Sequence, residues 1–323
     1  MSNYQKISKN IHEVTIDNPN TVGGELTWLN ITDPGKAEIQ FLRQSKKHNF
    51  SLAHLQASST KATAQRPLVE KGSDYLFLIL HFPVMRNGSI FSTEIEFFIG
   101  KDYVVTLHEN IKVLNDFFSI CKKDGERLLS TKHESTAVLL YEILERLMVD
   151  TYQVLDKMNI SINNVEKLIF EQETKKAVSD ILFLRRNIIS TRRIMQSHKN
   201  IIKKLTQPET DLVEDAEVRK YYFTLLELSK RIWESLENQK EMIEVLNSTN
   251  ESLMNYNMND IMKTLTIISV IVFPLTLFAA IFSMKVENGM PFLTTPYGFW
   301  FIIGLMVIGG LSMLLFFKKK KWL

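Results

Sequence analysis

The most regular feature of the hydrophobic pattern is a pair of long uncharged segments. Residues 264–284 (TLTIISVIVFPLTLFAAIFSM) and 297–317 (YGFWFIIGLMVIGGLSMLLFF) each contain 21 residues and no charged side chain. A helix of about 20 apolar residues spans the hydrocarbon core of a bilayer. The pattern therefore predicts a transmembrane hairpin over residues 261–323, with a pore helix, a loop over 285–296 and a second helix. Two buried core helices are the alternative, which the length and purity of both segments disfavour.

The flanking charges predict how this hairpin is oriented. Lys263 precedes the first segment, and the loop contains one lysine, Lys285, and one acid, Glu287. Residues 318–323 form a basic tail whose lysines would make a cytosolic ring: Lys318, Lys319, Lys320 and Lys321. Because lysine is enriched on the cytoplasmic side of membrane proteins, both termini are expected in the cytoplasm. The predicted location is the cell membrane, which in a bacterium is the inner membrane, with the loop outside.

Before the hairpin, residues 1–130 have the texture of a cytosolic α/β domain. Runs rich in β-branched and aromatic residues predict strands over 24–31, 74–84, 93–99 and 103–108. The pair Asn87-Gly88 is typical of a tight turn between two strands. The sequence Thr32-Asp33-Pro34 predicts the start of a short helix, with proline at its first position.

Residues 131–260 change to a helical pattern, in which Pro208 is the only proline and glycine is absent. Apolar residues recur at steps of three and four, as on amphipathic helices that pack lengthwise. One set is Leu144, Leu147, Leu155, Met158, Ile162, Val165 and Ile169, and a second is Leu184, Ile188, Met195, Ile202 and Leu205. His198 falls on the second face, where a packed histidine is favoured over a ligand. Helix-breaking residues are absent after Pro208 until Pro274, which predicts one stalk helix from about 213 to 284.

The first membrane segment has a polar face. At about 100° per residue, one arc about 120° wide contains four of its five hydroxyls and leaves out Thr264. The arc comprises Thr266, Ser269, Phe273, Thr276, Ala280 and Ser283. Hydroxyls of this kind can bond back to their own helix or join helices together. They can also line a pore, which one helix cannot enclose, so this second hypothesis requires an oligomer with Phe273 as a ring that closes by dewetting.

Composition and charge exclude other functions. The formal net charge is +3, too small for a strongly basic nucleic-acid binder. The single cysteine, Cys121, excludes a disulfide framework and a multi-cysteine metal site. The sequence lacks a phosphate-binding glycine loop, paired-histidine metal spacing and a nucleophile motif. We therefore expect neither an enzyme, a cofactor nor a small-molecule substrate.

The chain resembles the CorA family of divalent-cation transporters. The similarity is most specific in the hairpin, at 262–268 (MKTLTII), 273–276 (FPLT) and 318–323 (KKKKWL), and looser at 28–42 (WLNITDPGKAEIQFL), 65–82 and 98–108. The resemblance implies a homopentameric funnel in the lipid bilayer, in which an α+β cytosolic domain is followed by long stalk helices and the hairpin. It also implies a pore lined at Asn259, Leu265, Phe273, Thr276, Ala280 and Ser283.

The sequence departs from the family pattern at the outer mouth. Ser283-Met284-Lys285 replaces the family signature Gly-Met-Asn, whose asparagine ring holds a hydrated Mg²⁺. At about 8 Å in water each lysine repels a divalent ion by about 1 kcal/mol, so five repel it by about 5 kcal/mol before screening. Alternatively, Lys285 turns away, for example toward Glu287.

A second departure lies in the stalk. The aspartates that bind regulatory Mg²⁺ in many relatives are absent from residues 222–228 (YFTLLEL). The acids one to three turns earlier, Asp211, Glu214, Asp215 and Glu217, are weak metal candidates. A solvated helix start, with acids at the positive end of the helix dipole, is the favoured interpretation.

The leading functional hypothesis is passive movement of a divalent cation, Mg²⁺ or Co²⁺ by family default. Zinc is the first alternative, as in the branch that lacks an intact Gly-Met-Asn. An anion is the second, because a lysine ring would favour it. A pentameric membrane sensor or scaffold that conducts no ion is the third, and the hydroxyl arc favours transport over it.

Overall fold

The computed structural model describes residues 2–17, 25–45, 49–58, 67–123, 135–213, 215–284, 297–320 and 322. Two compact units divide the chain, residues 1–246 and residues 247–323. The strands are β1 (Ser2–Lys6), β2 (Ile11–Asp17), β3 (Glu25–Thr32), β4 (Leu68–Lys71), β5 (Leu76–Arg86), β6 (Ser89–Ile99) and β7 (Tyr103–His108). The helices are α1 (Lys36–Gln44), α2 (Leu52–Ala57), α3 (Lys112–Lys123), α4 (Thr136–Phe170), α5 (Thr174–Met195), α6 (His198–Leu205), α7 (Ala216–Ser283) and α8 (Gly298–Lys319).

The first unit is built on a seven-stranded sheet with the order β1-β2-β3-β7-β6-β5-β4. Strands β3 and β7 are parallel, and the other neighbouring strands are antiparallel. Side chains alternate between two hydrophobic cores because successive strand residues point to opposite faces. Trp28, Leu78 and Phe97 join the core on the side of α3, α4 and α5. Phe77 and Phe98 join a smaller core with residues of α1 and α2.

The predicted strands are found with shifted ends. Strand β7 has the predicted bounds, whereas β6 begins four residues earlier than expected because it forms a long hairpin with β5. Asn87 and Gly88 form the turn of that hairpin, with φ angles of 50° and 80°. Two consecutive positive φ values are the signature of a type I′ turn, whose twist matches that of the flanking strands. The pattern had not indicated β1, β2 or β4.

The predicted start of the first helix was wrong. Gly35, rather than Asp33, occupies the N-cap position of α1, and Pro34 precedes it. The Glu38 side chain accepts a hydrogen bond from the Gly35 N–H at 2.9 Å, which satisfies one donor of the helix start. Asp33 instead takes a left-handed conformation with φ of 49°, because the chain turns there after β3.

The helices of this unit pack through the two predicted apolar sets, and every member of both sets is buried. The second set lies on two helices instead of one, because α5 ends at Met195 and α6 begins at His198. His198 itself is buried, with its ring 4.9 Å from that of Phe82. Burial lowers the pKa of His198 to about 4, as for a neutral packed imidazole.

Helix α7 confirms the prediction of one uninterrupted stalk helix, because Pro274 lies inside it. Its buried positions alternate at steps of four and three, which is the seam of a left-handed coiled coil. Within the first unit they are Val218, Tyr222, Leu225, Ser229, Ile232, Leu236, Gln239, Ile243 and Leu246. The Tyr222 hydroxyl donates to the Ala137 carbonyl at 2.9 Å, and Gln239 Nε2 donates to the Leu155 carbonyl at 2.9 Å. These two contacts fix the first part of α7 parallel to α4.

Candidate ion pathway on the first membrane helix

The second unit contains α7 from residue 247 onward and all of α8, and in the part of the chain that the structure describes these two helices are long and apolar enough to cross a membrane. A stripe of α7 is buried or half-buried in this unit, at steps of three and four residues. Its members are Ile267, Ile271, Leu275, Phe278 and Phe282. Leu275 contacts α8, since a methyl group placed on Gly310 would lie 3.6 Å from its Cδ1 atom. Among the described residues of this unit, α8 is the element that covers the stripe.

The predicted polar arc lies on the opposite side of α7. At about 100° per residue, the centre of the arc is about 180° from the centre of the stripe that packs on α8. Phe273 is 72% exposed, and Thr266, Thr276, Ala280 and Ser283 are also exposed. Ser269 is half-buried. The arc is thus the face of the first membrane helix that α8 leaves uncovered.

Four hydroxyls of the first membrane segment donate to the backbone of their own helix. Thr266 donates to the Met262 carbonyl at 2.7 Å, and Thr276 donates to the Val272 carbonyl at 2.8 Å. The hydroxyls of Ser269 and of Thr264, which is outside the arc, make the same bond to the fourth preceding carbonyl, both at 2.9 Å. This is the back-bonding expected of hydroxyls in apolar helices. Because the hydrogen is used, each oxygen presents only its lone pairs to its surroundings.

The other predicted lining residues occur at the two ends of the arc. Asn259 and Leu265 are exposed on the preceding turns of α7, and Met284 is exposed directly after the helix. Lys285 and Glu287 of the predicted outer mouth lie outside the described residues, as do Glu214 and Lys321. Lys318, Lys319 and Lys320 are exposed at the end of α8.

The acids near the start of α7 already have protein partners. Asp211 forms an ion pair with Lys71 of β4, whose ammonium also donates to the Glu209 carbonyl. Asp215 Oδ1 accepts a hydrogen bond from the Glu217 N–H at 2.8 Å, as in an N-terminal cap.

Glu217 itself pairs with Lys220 at 2.6 Å. Within the ranges that the structure describes, no three metal-ligating His, Cys, Asp or Glu side chains come together. Metal binding by the stalk acids therefore stays a prediction.

A buried acidic group of the first unit was not predicted from the sequence. His81 Nε2 and Glu94 Oε2 are 3.0 Å apart on neighbouring strands. Glu96, two positions along β6, is buried, and its Oε2 atom is without a hydrogen-bond partner in the described structure. Burial and the neighbouring Glu94 raise the pKa of Glu96 to about 8. From the sequence, Glu96 is a polar residue at an alternating strand position. Nothing in that pattern indicates that the second core, which includes α2, would bury it.

Comparisons with known proteins assign most of the chain to one family. Residues 23–319 match the family described as CorA-like Mg²⁺ transporter protein. The cobalt/magnesium transport protein CorA of Thermotoga maritima is 26% identical over 299 residues, which cover 92% of this chain and 83% of that protein. The zinc transport protein ZntB of Yersinia pestis is 25% identical over 187 residues, or 57% of this chain and 55% of that protein.

The fold also matches a solved structure. The complete structure of the CorA magnesium transporter from Methanocaldococcus jannaschii superposes with a TM-score of 0.81 at 20% identity. The match covers 98% of this chain and 100% of that chain. The predicted fold class, an α+β domain followed by long helices and two apolar C-terminal helices, is therefore confirmed.

Proposed function

The chain belongs to the CorA-like Mg²⁺ transporter family, and we propose that it conducts divalent metal cations through a pore that five copies form around α7. The observation that carries this proposal is the position of the hydroxyl arc opposite α8. Polar side chains in a membrane helix usually face a water-filled cavity or an ion pathway, because contact with lipid leaves them without polar partners. Since one α7 cannot enclose a pore, the uncovered arc requires further copies of the chain. The name of the Thermotoga relative, a cobalt/magnesium transport protein, supports a divalent cation as the transported substrate.

The residues of the arc would act at different depths of such a pore. Ser269 and Thr276 lie one turn before and one turn after Phe273 and would offer hydroxyl oxygens to a hydrated ion. Five exposed Phe273 rings near the middle of the span would form a hydrophobic constriction that closes when it loses water. Asn259 would contribute an amide ring on the cytosolic side, and Leu265 would follow it at the cytosolic end of the span.

The hydrogen bonds of the arc favour cations over anions. The hydroxyls of Thr266, Ser269 and Thr276 donate their hydrogens to backbone carbonyls. Their oxygens can therefore accept hydrogen bonds from an ion's hydration water, or contact a cation directly. A chloride ion needs donors, which these three hydroxyls do not offer. These acceptor oxygens disfavour the anion alternative that Lys285 suggested.

We infer a separate role for Lys285 at the outer mouth, from the sequence alone. A lysine where the family has asparagine lowers the local concentration of cations, and salt weakens this effect. Lys285→Asn is therefore expected to raise Mg²⁺ uptake at low ionic strength, whereas Lys285→Arg, which keeps the charge, is the matched control. Equal uptake by wild type and Lys285→Asn would mean that Lys285 turns away from the pathway.

Zinc is the second candidate ion, because the Yersinia relative is a zinc transport protein and aligns with more than half of this chain. The decisive experiment measures flux of Mg²⁺, Co²⁺, Zn²⁺, Na⁺ and Cl⁻ into proteoliposomes, with protein-free liposomes as the control. We expect flux of at least one divalent cation and none of Cl⁻. Chloride flux without divalent flux would support the anion alternative. A correctly inserted protein that conducts no ion would support a sensor or scaffold.

The assembly can be tested without flux. A pentamer in detergent, with both ends of the hairpin on the cytoplasmic side, is the arrangement that the arc and the flanking lysines support. The mass of the protein–detergent complex is expected to correspond to five copies of the 37.5 kDa chain. A stable monomer or dimer would contradict the pore.

A further inference from the structure

A shallow apolar groove runs between the two helices of the second unit. Six of its lining residues come from α8 and one, Leu275, from α7. The residues from α8 are Ile303, Met306, Val307, Gly310, Leu311 and Leu314. The groove has a volume of about 410 Å³, in the range of sites that hold one small molecule. Gly310 keeps it open, because the position without a side chain faces Leu275.

The groove leads directly to a lysine. Lys318 follows Leu314 by four residues and Leu311 by seven, so all three lie on the same side of α8. Because each residue is rotated by about 100° from the one before it, Lys319 and Lys320 lie on other sides of α8. All three lysines are exposed. Among the lysines that the structure describes here, Lys318 alone therefore continues the apolar surface of the groove.

An aromatic pair marks the membrane boundary at the same level. The Trp322 ring stacks on the Phe317 ring with centroids 5.9 Å apart, and the backbone N–H of Trp322 donates to the Phe317 carbonyl at 3.1 Å. Tryptophan is enriched at the depth of lipid headgroups, because its ring is apolar and its N–H is polar. Lys318 thus lies where the phosphate of a lipid would be when its acyl chain lies along α8.

We propose that the groove and Lys318 form a binding site for one anionic phospholipid of the leaflet next to the lysines. The acyl chain occupies the groove from Leu314 toward Ile303, and the headgroup phosphate pairs with the Lys318 ammonium. The apolar lining recognises the chain, and the charge selects an anionic over a zwitterionic headgroup. This site is distinct from the ion pathway, since it lies on the α8 side of α7.

The test is lipid binding to the purified full-length protein in detergent, measured by native mass spectrometry. Phosphatidylglycerol and phosphatidylcholine with identical acyl chains are compared at equal concentrations. We expect phosphatidylglycerol to bind about fivefold more tightly, the effect of one interfacial lysine. Lys318→Gln is expected to remove this preference. Lys319→Gln, which makes the same change of charge one position away, is expected to keep it.

A second pair of variants tests the groove without changing any charge. Leu311 lines the groove and is 54% exposed, whereas Leu315 is 66% exposed and is not part of the lining. Leu311→Trp is expected to fill the groove and weaken binding of both lipids severalfold. Leu315→Trp, an equal increase in volume toward the outside, is expected to leave binding unchanged.

Three results would overturn the proposal. Equal affinity for the two lipids would remove the role of the phosphate, and equal losses in Lys318→Gln and Lys319→Gln would indicate general surface charge. A change of oligomeric mass in Leu311→Trp with unchanged lipid binding would mean that a helix of a second copy occupies the groove. Because the readout is bound lipid rather than ion flux, failure here is distinguishable from failure of the proposed transport function.

Discussion

The Nε2 atom of His108 lies 2.9 Å from Oδ1 of Asn30, and this contact joins the two parallel strands of the sheet. The Ile111 N–H donates to the other ring nitrogen of His108, Nδ1, at 3.0 Å. Nδ1 is thus an acceptor and Nε2 carries the hydrogen, which fixes one neutral tautomer. Burial disfavours the charged form and lowers the pKa of His108 to about 4.

This histidine predicts acid sensitivity of the first unit. His108 has a pKa of about 6.5 in the unfolded chain and about 4 in the folded protein. Between these values the unfolded chain binds the proton more readily, so the free energy of unfolding falls as pH falls. The loss is about 2 kcal/mol between about pH 7 and about pH 5. His108→Gln is expected to flatten the fall in melting temperature over this window. His198 adds a fall of the same sign in both proteins, so an unchanged pH slope in the variant would contradict the assignment.

Glu96 predicts the opposite pH dependence of stability. Its folded pKa of about 8 exceeds the unfolded value of about 4.5, so the wild type loses stability as pH rises through that window. Glu96→Gln cannot ionise and is expected to be more stable at neutral pH, by up to about 3 kcal/mol, with a gain that grows from about pH 5 to about pH 8.

Glu94→Gln is the comparison variant, because it removes only the neighbouring charge that adds to burial in raising the pKa of Glu96, and its pH-dependent gain is expected to be smaller. Thermal melts of the purified protein at several pH values measure both variants. A gain that is absent, or independent of pH, would mean that folded Glu96 is ionised.

Phe273 is the predicted constriction of the pore. Phe273→Ala is expected to raise basal flux severalfold, because five smaller side chains leave room for water at mid-span. Phe278→Ala is the matched control, since Phe278 lies on the stripe covered by α8, and its basal flux is expected to stay near that of the wild type. Flux into proteoliposomes with equal amounts of inserted protein measures both. A larger effect of Phe278→Ala would place the gate elsewhere.

The stalk acids predict weak sensitivity of the first unit to Mg²⁺. Each of the three described acids already has a partner: Lys71 pairs with Asp211, Lys220 pairs with Glu217, and the Glu217 N–H donates to Asp215. An added ion would have to displace these partners. Millimolar Mg²⁺ is expected to raise the melting temperature by less than about 2 °C. A rise well above this, lost in Asp211→Asn, would reveal a metal site at the start of α7.

The parts of the fold that depend on local periodicity were predictable. The long helices follow from apolar residues at steps of three and four, and the two membrane segments from their length and lack of charge. Strand β1 (SNYQK) has no such signal, because its strand conformation comes from pairing with β2, where Tyr4 lies opposite Val14. Similarly, β4 is four residues long and is an edge strand held by β5.

The candidate site likewise has features that local sequence predicts and features that depend on tertiary contacts. The hydroxyl arc was predictable, because rotation along one helix is local geometry. Its position opposite α8 depends on which face of α7 meets Leu275 and Gly310, and that is a tertiary property. The pairing of Lys71 with Asp211 joins residues 140 positions apart, and the burial of Glu96 depends on a helix elsewhere in the chain. No local pattern encodes either.

The central claim, that the arc of α7 faces a cation pathway, is tested most directly by two isosteric substitutions. Thr276 lies on the arc and Thr264 outside it, and both hydroxyls donate to the fourth preceding carbonyl, at 2.8 Å and 2.9 Å. Thr276→Val and Thr264→Val therefore remove the same intrahelical bond and differ in the face they change. The measurement is flux, in proteoliposomes, of the divalent cation that the wild type conducts best. Loss of the hydroxyl oxygen that contacts the hydrated cation predicts about tenfold lower flux in Thr276→Val and wild-type flux in Thr264→Val. Equal flux in the two variants, or a loss confined to Thr264→Val, would contradict the claim.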